Sequence, residues 1–152
     1  MAGAPLVIGV GNPLRRDDGV GRAVARAIQE TLSAIKVIEM DGEGAALLEA
    51  WTEADVVVVV DAVRSGATPG TVHRFEPPGD RLPHTLSSTS THAFGLPDAV
   101  ELGRALGQLP RRLIVYGIEG ADFTAGEGLS AEVQTAVPEV AARVQAELQA
   151  LP

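Results

Sequence analysis

The sequence has 152 residues, of which 45% are hydrophobic, 3% are aromatic and none is cysteine, and its formal net charge is -8. This length predicts one domain, residues 1–152, with a core built from aliphatic side chains. The acidic charge excludes a nucleic-acid partner, and the missing cysteine excludes disulfides, thiolate metal ligands and a thiol nucleophile.

Alternating strand and helix patterns follow one another along the chain. Strands are predicted at PLVIGV (5–10), IKVIEM (35–40), ADVVVVVDAV (54–63), TVHRFE (71–76) and RLIVYGI (112–118). Helices are predicted at 19–32, 45–51 and 93–106, with a last helix, interrupted near Pro138, that carries the apolar stripe Val133, Val137, Val140, Val144 and Leu148. Residues 77–91 are predicted to form a long surface loop. This order predicts a three-layer α/β/α sandwich around a mostly parallel central sheet of about five strands.

The cellular location is predicted from the apolar segments. The N-terminal sequence MAGAPLVIGVG lacks the basic start and the long apolar run of a signal peptide. No segment has the roughly 18 apolar residues that a membrane-spanning helix needs. We therefore expect a cytoplasmic protein without a membrane partner.

The stretch GVGNPLRRDDGVG (9–21) lies between the first strand and the first helix. Its first two glycines match those of a dinucleotide-binding loop, but Leu14 stands where the third glycine would be. Asp17 and Asp18 would also repel a pyrophosphate, so we exclude a nucleotide site. One aspartate here is explained as a helix cap; the second is more than a cap needs. We interpret Asp17 as the cap and Asp18 as a functional acid.

Other candidate residues end or follow predicted strands, where the ligands of parallel α/β sheets bind. They are Asp41, Asp61 and Glu119. For Asp61, which ends the five-valine strand, two interpretations stay open: it binds a ligand or metal, or it accepts hydrogen bonds from the following turn. The same two interpretations apply to Asp41.

Histidine supplies the remaining candidate. His73 lies in an alternating strand and is interpreted as a surface or packing residue, and His84 as a solvated loop residue. His92 lies before a predicted helix, at the end of the long loop. Asp18, Asp61 and His92 would together suit a divalent ion such as zinc or nickel, although three separate loops give them no local spacing signature.

Four segments taken together resemble one protein family. GVGNPLRRDDGVG, VVVVVDAV, SSTSTHAFGL and YGIEGADFTAGEGLS resemble, in this order, the nickel-iron hydrogenase maturation endopeptidases, over residues 6 to about 149. The resemblance implies an α/β sheet with helices on both sides. It also implies a hydrolase that removes a C-terminal peptide from the hydrogenase large-subunit precursor after nickel insertion, so that this precursor is the expected partner.

The resemblance also assigns residues. The family's metal-binding acids fall on Asp18 and Asp61 and its histidine on His92, and these three are implied to contact nickel that is already seated in the substrate. Zinc or cadmium is expected to replace nickel at these ligands in a crystal. Asp18 and Asp61 would thus act in catalysis through the metal, and Asp41 is a candidate to orient or deprotonate the attacking water. In this chain Asp41 is followed by Gly-Glu-Gly, without the threonine that the family often has there.

Two alternatives accompany this assignment. The opening VGVGNP also resembles the start of peptidyl-tRNA hydrolases, but those enzymes need a histidine soon after this loop and a basic groove for tRNA. This chain has Arg-Arg-Asp-Asp and a net charge of -8 instead. The second alternative is a module that recognises the nickel site, or acts as a chaperone for it, without cutting; the same ligands would serve that role.

Overall fold

A computed structural model describes residues 4–32, 34–86 and 94–151. The strands are β1 (Leu6–Val10), β2 (Lys36–Met40), β3 (Val56–Val63), β4 (Val72–Phe75) and β5 (Arg112–Glu119). The helices are α1 (Val20–Thr31), α2 (Gly44–Trp51), α3 (Leu96–Leu106) and α4 (Ala131–Gln149), and a 3-10 helix at Arg16–Gly19 leads into α1. Among the described residues, no helix combines the length and the apolar character needed to cross a membrane.

The five strands form one sheet in the order β2-β1-β3-β5-β4. The first four are parallel, and β4 pairs antiparallel with β5 at one edge. All eight residues of β3 are buried, because this valine-rich strand is covered on both faces. The mostly parallel, five-stranded sheet predicted from the sequence is confirmed.

Helices cover both faces of the sheet. One hydrophobic cluster joins α1 and α4 to the strands and includes Val24, Val58 and Val140. The other joins α2 and α3 to the opposite face and includes Val59 and Val100. Since alternate residues of a strand face opposite sides, the valine run of β3 supplies both clusters. The three-layer arrangement is thus confirmed.

Helix α4 corrects one prediction from the sequence. It runs without interruption through Pro138, which the sequence predicted to break it. Pro138 and Gln134, whose carbonyl loses its helical hydrogen bond to the proline, are both exposed. Water can therefore hydrate that carbonyl, and the buried stripe of the helix holds the element together across the proline.

Helix α1 approaches the sheet closely where the strands end. A Cβ atom at Gly21 would lie 2.1 Å from the carbonyl oxygen of Val60 and 2.5 Å from that of Val10. Both contacts are with backbone, which cannot move aside as a flexible side chain would. Glycine at this position therefore lets the first turn of α1 rest on β1 and β3, and this fixes the loop that precedes the helix.

Candidate functional site

The candidate site lies where the strand order changes direction. From β1 the chain crosses to β2 on one side and then to β3 on the other, so the carboxyl ends of β1 and β3 border a crevice. Asp18 follows β1, and Asp61 lies on β3, paired in register with Gly117 of β5. The position of Asp61 corrects the sequence interpretation slightly, since β3 continues for two residues beyond it to Val63.

Asp18 is 5% exposed, and the loop before it sets its orientation. Its Oδ2 accepts a hydrogen bond of 2.9 Å from the backbone N–H of Asn12. Gly11 has a φ of +146°, and a Cβ there would lie 1.8 Å from the carbonyl oxygen of Asp18. Only glycine allows this tight turn. Among the described residues no hydrogen bond to Oδ1 of Asp18 is seen, so the carboxylate has an oxygen available for a ligand.

Asp61 is fully buried on the central strand. Its Oδ1 accepts a hydrogen bond of 2.7 Å from the N–H of Ala62. His92, the third predicted ligand, lies outside the described residues. Within the described ranges, no group of three histidine, aspartate and glutamate side chains stands close enough to hold a metal. The three-ligand site therefore stays a prediction, of which the structure locates two acids at the carboxyl ends of neighbouring strands.

Asp17 has a different role from the one predicted. The N-cap residue of α1 is Gly19, with no capping side chain, so the interpretation of Asp17 as a helix cap is wrong. Its carboxylate instead accepts hydrogen bonds of 2.7 to 2.9 Å from the N–H groups of Ala121, Asp122 and Ser130 and from the Ser130 hydroxyl. We call Asp17, Ala121, Asp122 and Ser130 the Asp17 cluster.

The Asp17 cluster explains how a fully buried carboxylate is tolerated beside Asp18. Burial alone would raise the pKa of Asp17, but the hydrogen bonds from Ser130 and from the 121–122 backbone outweigh it and hold the pKa below its ordinary value. The cluster ties the 3-10 helix to the loop between β5 and α4. Two of the segments that carried the family resemblance, RRDDG and GADFTAGEGLS, are thus bonded to each other.

The chain matches the model of one protein family over most of its length. A model of the HycI hydrogenase maturation protease family matches residues 20–147. The chain belongs to this family. The resemblance seen in the sequence is thereby confirmed.

Individual relatives agree with this placement. The hydrogenase expression/formation protein HupD of Thiocapsa roseopersicina is 34% identical over 78% of this chain and 55% of its own length. The hydrogenase 2 maturation protease of Escherichia coli is 27% identical over 95% of this chain and 90% of its own. The chain thus spans little more than half of HupD but nearly all of the Escherichia coli protein.

Solved structures share the fold. The solution structure of an endopeptidase from Escherichia coli superimposes with a TM-score of 0.84 and 25% identity, covering 97% of this chain and 93% of that one. The hydrogenase maturating endopeptidase HybD of Escherichia coli gives a TM-score of 0.80 at 22% identity, with the same coverage. The five-stranded α/β architecture is therefore that of this protease family.

Asp41, the candidate to orient or deprotonate the attacking water, follows β2 and is exposed. Its Oδ1 accepts a hydrogen bond of 3.2 Å from the N–H of Glu43. The Glu43 carboxylate in turn caps α2, accepting hydrogen bonds from the N–H groups of Ala45 at 2.6 Å and Ala46 at 3.2 Å. Glu43 therefore has a structural role in this member of the family, close to where the threonine is often found, and Asp41 is exposed after β2, the strand next to β1.

A fourth buried acid, Glu119, ends β5. The sequence placed it at the carboxyl edge but did not predict its partners. Its carboxylate accepts hydrogen bonds from the Ser65 N–H at 2.8 Å and hydroxyl at 2.5 Å and contacts Nε2 of His73 at 3.2 Å. The His73 ring is half-buried and stacks on Phe75, as expected of a packing residue. His73 and Phe75 also line a cavity of about 370 Å³, together with Val63, Ser65, Arg81, Leu82 and Pro83.

Proposed function

We propose that the protein is an endopeptidase that removes a C-terminal peptide from the nickel-loaded hydrogenase large-subunit precursor. The observation that carries the proposal is the pair of buried acids, Asp18 and Asp61, at the carboxyl ends of adjacent strands in a chain of this protease family. Carboxylate oxygens are ligands that a divalent cation accepts, and both acids lie at the edge of the sheet where the ligands of parallel α/β folds bind. The proposal includes a cytoplasmic location and a single domain spanning residues 1–152, as the sequence predicts.

The donor set fits a divalent metal carried by the substrate. Asp18 and Asp61 offer carboxylate oxygens, and the family resemblance adds the imidazole of His92. Oxygen and nitrogen ligands of this kind suit nickel, zinc and, in a crystal, cadmium. The substrate's nickel would thus be recognised by these residues before cleavage.

The cleavage itself is the addition of water across one peptide bond. The attacking oxygen bonds to the scissile carbonyl carbon, the C–N bond breaks, and a new carboxylate and a new amine are released. A metal near the carbonyl supplies Lewis-acid assistance. Asp41, exposed after β2, would accept the proton of the water and pass it to the leaving nitrogen.

The test combines a cleavage assay with a binding assay. The full chain is incubated with nickel-loaded precursor, and loss of the C-terminal peptide is followed by mass spectrometry. We expect Asp18→Asn, Asp61→Asn and His92→Ala to lose at least about 100-fold in rate and to bind zinc more weakly in calorimetry. Asp41→Asn should lower the rate and leave zinc binding intact.

Glu127→Gln is the matched control, because it removes an exposed carboxylate from a neighbouring loop. Wild-type rates in Asp18→Asn would contradict the proposal. Precursor binding without any change of mass would show instead that the protein recognises the nickel site and does not cut.

A further inference from the structure

Three arginines lie in loops that follow strands of the sheet. Arg15 precedes the 3-10 helix, Arg64 follows β3 directly, and Arg81 lies in the loop after β4; all three are exposed. None forms a salt bridge with a described acid. Most other arginines of the chain do: Arg16, Arg22, Arg26, Arg74, Arg104, Arg111 and Arg112. Arg143 and Lys36 also form no salt bridge with a described acid, so Arg15, Arg64 and Arg81 are three of the five unpaired basic residues in the described part of a chain whose net charge is -8.

These arginines belong to one continuous surface. The guanidinium carbon of Arg64 lies 4.5 Å from the centre of the Phe123 ring, on the loop after β5. Arg15 forms a backbone bridge with Gly126 of the same loop. Arg81 borders the cavity lined by Val63 and Ser65, the residues on either side of Arg64 in the chain. We call Arg15, Arg64 and Arg81 the arginine rim.

The buried acids of the site do not cancel the charge of these arginines at the surface, although Arg81 also lines a cavity together with Asp98 and Glu101. Asp17, Asp18, Asp61 and Glu119 are all at least 95% buried. Asp122, which is nearer to solvent, already faces Arg16 at 3.7 Å. The arginine rim therefore presents its guanidinium groups to whatever approaches the crevice.

We propose that the arginine rim is a docking surface for an acidic segment of the precursor protein. Guanidinium groups bind carboxylates through paired hydrogen bonds, and a positive patch on an otherwise acidic protein steers an acidic partner to that patch. Nucleic acid is disfavoured because the rest of the surface would repel its phosphates. This inference rests on the proposed function, since it concerns how the same substrate is held.

The test uses two fluorescent peptides of equal length, one rich in glutamate and the other with glutamine at the same positions. Their binding to the full chain is measured by fluorescence anisotropy at low and at 200 mM salt. We expect the glutamate peptide to bind more tightly and to lose its advantage in high salt. Arg15→Gln, Arg64→Gln and Arg81→Gln should each weaken its binding by about two- to five-fold.

Lys36→Gln is the matched control, because it removes one positive charge from an exposed position at the opposite edge of the sheet. Thermal unfolding of each variant checks that the fold is kept. Equal binding of the two peptides, an equal loss in Lys36→Gln, or equally tight binding of single-stranded DNA would overturn the proposal.

A cleavage measurement separates this inference from the proposed function. With nickel-loaded precursor, the arginine variants should raise KM several-fold and leave kcat near the wild-type value, since they bind substrate away from the reacting bond. Unchanged KM in all three variants would refute the docking surface and leave the endopeptidase proposal standing. Absence of cleavage by the wild-type protein would refute the endopeptidase proposal. The anisotropy measurements with the two peptides would then decide whether the arginine rim binds acidic segments.

Discussion

At the scale of single residues, Glu119 shows how a buried charge is held in this protein. It is 1% exposed, and its carboxylate accepts hydrogen bonds from the Ser65 side chain and from the N–H groups of Ser65 and Gly66. Burial alone would raise the pKa of Glu119, but the hydrogen bonds from Ser65 and His73 outweigh it and place the pKa below its ordinary value. Its charged form is thus stabilised in the folded chain.

The sign of this pKa shift gives a pH-dependent prediction. Because the folded pKa is lower than the unfolded one, the stabilisation is complete above the unfolded pKa of roughly 4.3 and is lost as pH falls through the folded value. Glu119→Gln should therefore lower the free energy of unfolding by about 2–3 kcal/mol at pH 7, and by less as pH drops below about 4. Urea unfolding from pH 7 to pH 3.5 measures this difference. A difference independent of pH would contradict it.

Residue positions near strand ends could be predicted from the sequence, whereas residue partners could not. Asp18, Asp61 and Glu119 follow from the rule that ligands gather at the carboxyl ends of parallel strands. The partners of Asp17 lie 104 to 113 residues away in the chain, and His73 lies 46 residues from Glu119. No local spacing in the sequence indicates such contacts, and the sequence therefore predicts only the nearby role of Asp17 as a helix cap. His92 stays a prediction that rests on its place at the end of the long loop and on the family resemblance.

At the scale of elements, the sheet was predictable because its strands are strongly patterned. The all-buried valine run of β3 has no polar alternation and so indicates a central strand. The continuity of α4 was not predictable from Pro138 alone. What decides it is the buried stripe on either side of the proline, together with the exposure of the proline itself.

Replacing that proline tests this account of α4. Pro138→Ala restores an N–H that can donate to the carbonyl of Gln134 and removes the steric conflict of the ring with the preceding turn. We expect the free energy of unfolding to rise by about 1–2 kcal/mol, after allowing for the greater freedom of the unfolded chain. Urea unfolding measures the change, with Glu139→Ala, at the next exposed position, as the control. A destabilised Pro138→Ala variant would show that the helix depends on the proline.

At the scale of the whole molecule, the sheet separates two hydrophobic clusters. Val24 of α1 and Val140 of α4 belong to one cluster and Val100 of α3 to the other, and all three are buried. Each valine-to-alanine change removes buried methyl groups and leaves a cavity, which costs about 2–3 kcal/mol.

Double variants test whether the clusters are independent. The losses of Val24→Ala and Val100→Ala should add to within about 0.5 kcal/mol, because the sheet lies between the two sites. Val24→Ala and Val140→Ala lie within one cluster and should depart from additivity by more than that. Urea unfolding of the single and double variants gives the departure from additivity for each pair. Strong coupling across the sheet would contradict the division into two cores.

The Asp17 cluster also determines when, during synthesis of the chain, the loop that carries the site can take its native structure. It joins residues as much as 113 positions apart, so a chain growing from its N-terminus holds Asp17 without partners until the segment after β5 has been synthesised. Contacts of such long sequence separation form late in folding. The 3-10 helix that carries Asp17 and Asp18 thus gains these contacts only when almost the entire chain exists, and a nascent or truncated fragment lacks them.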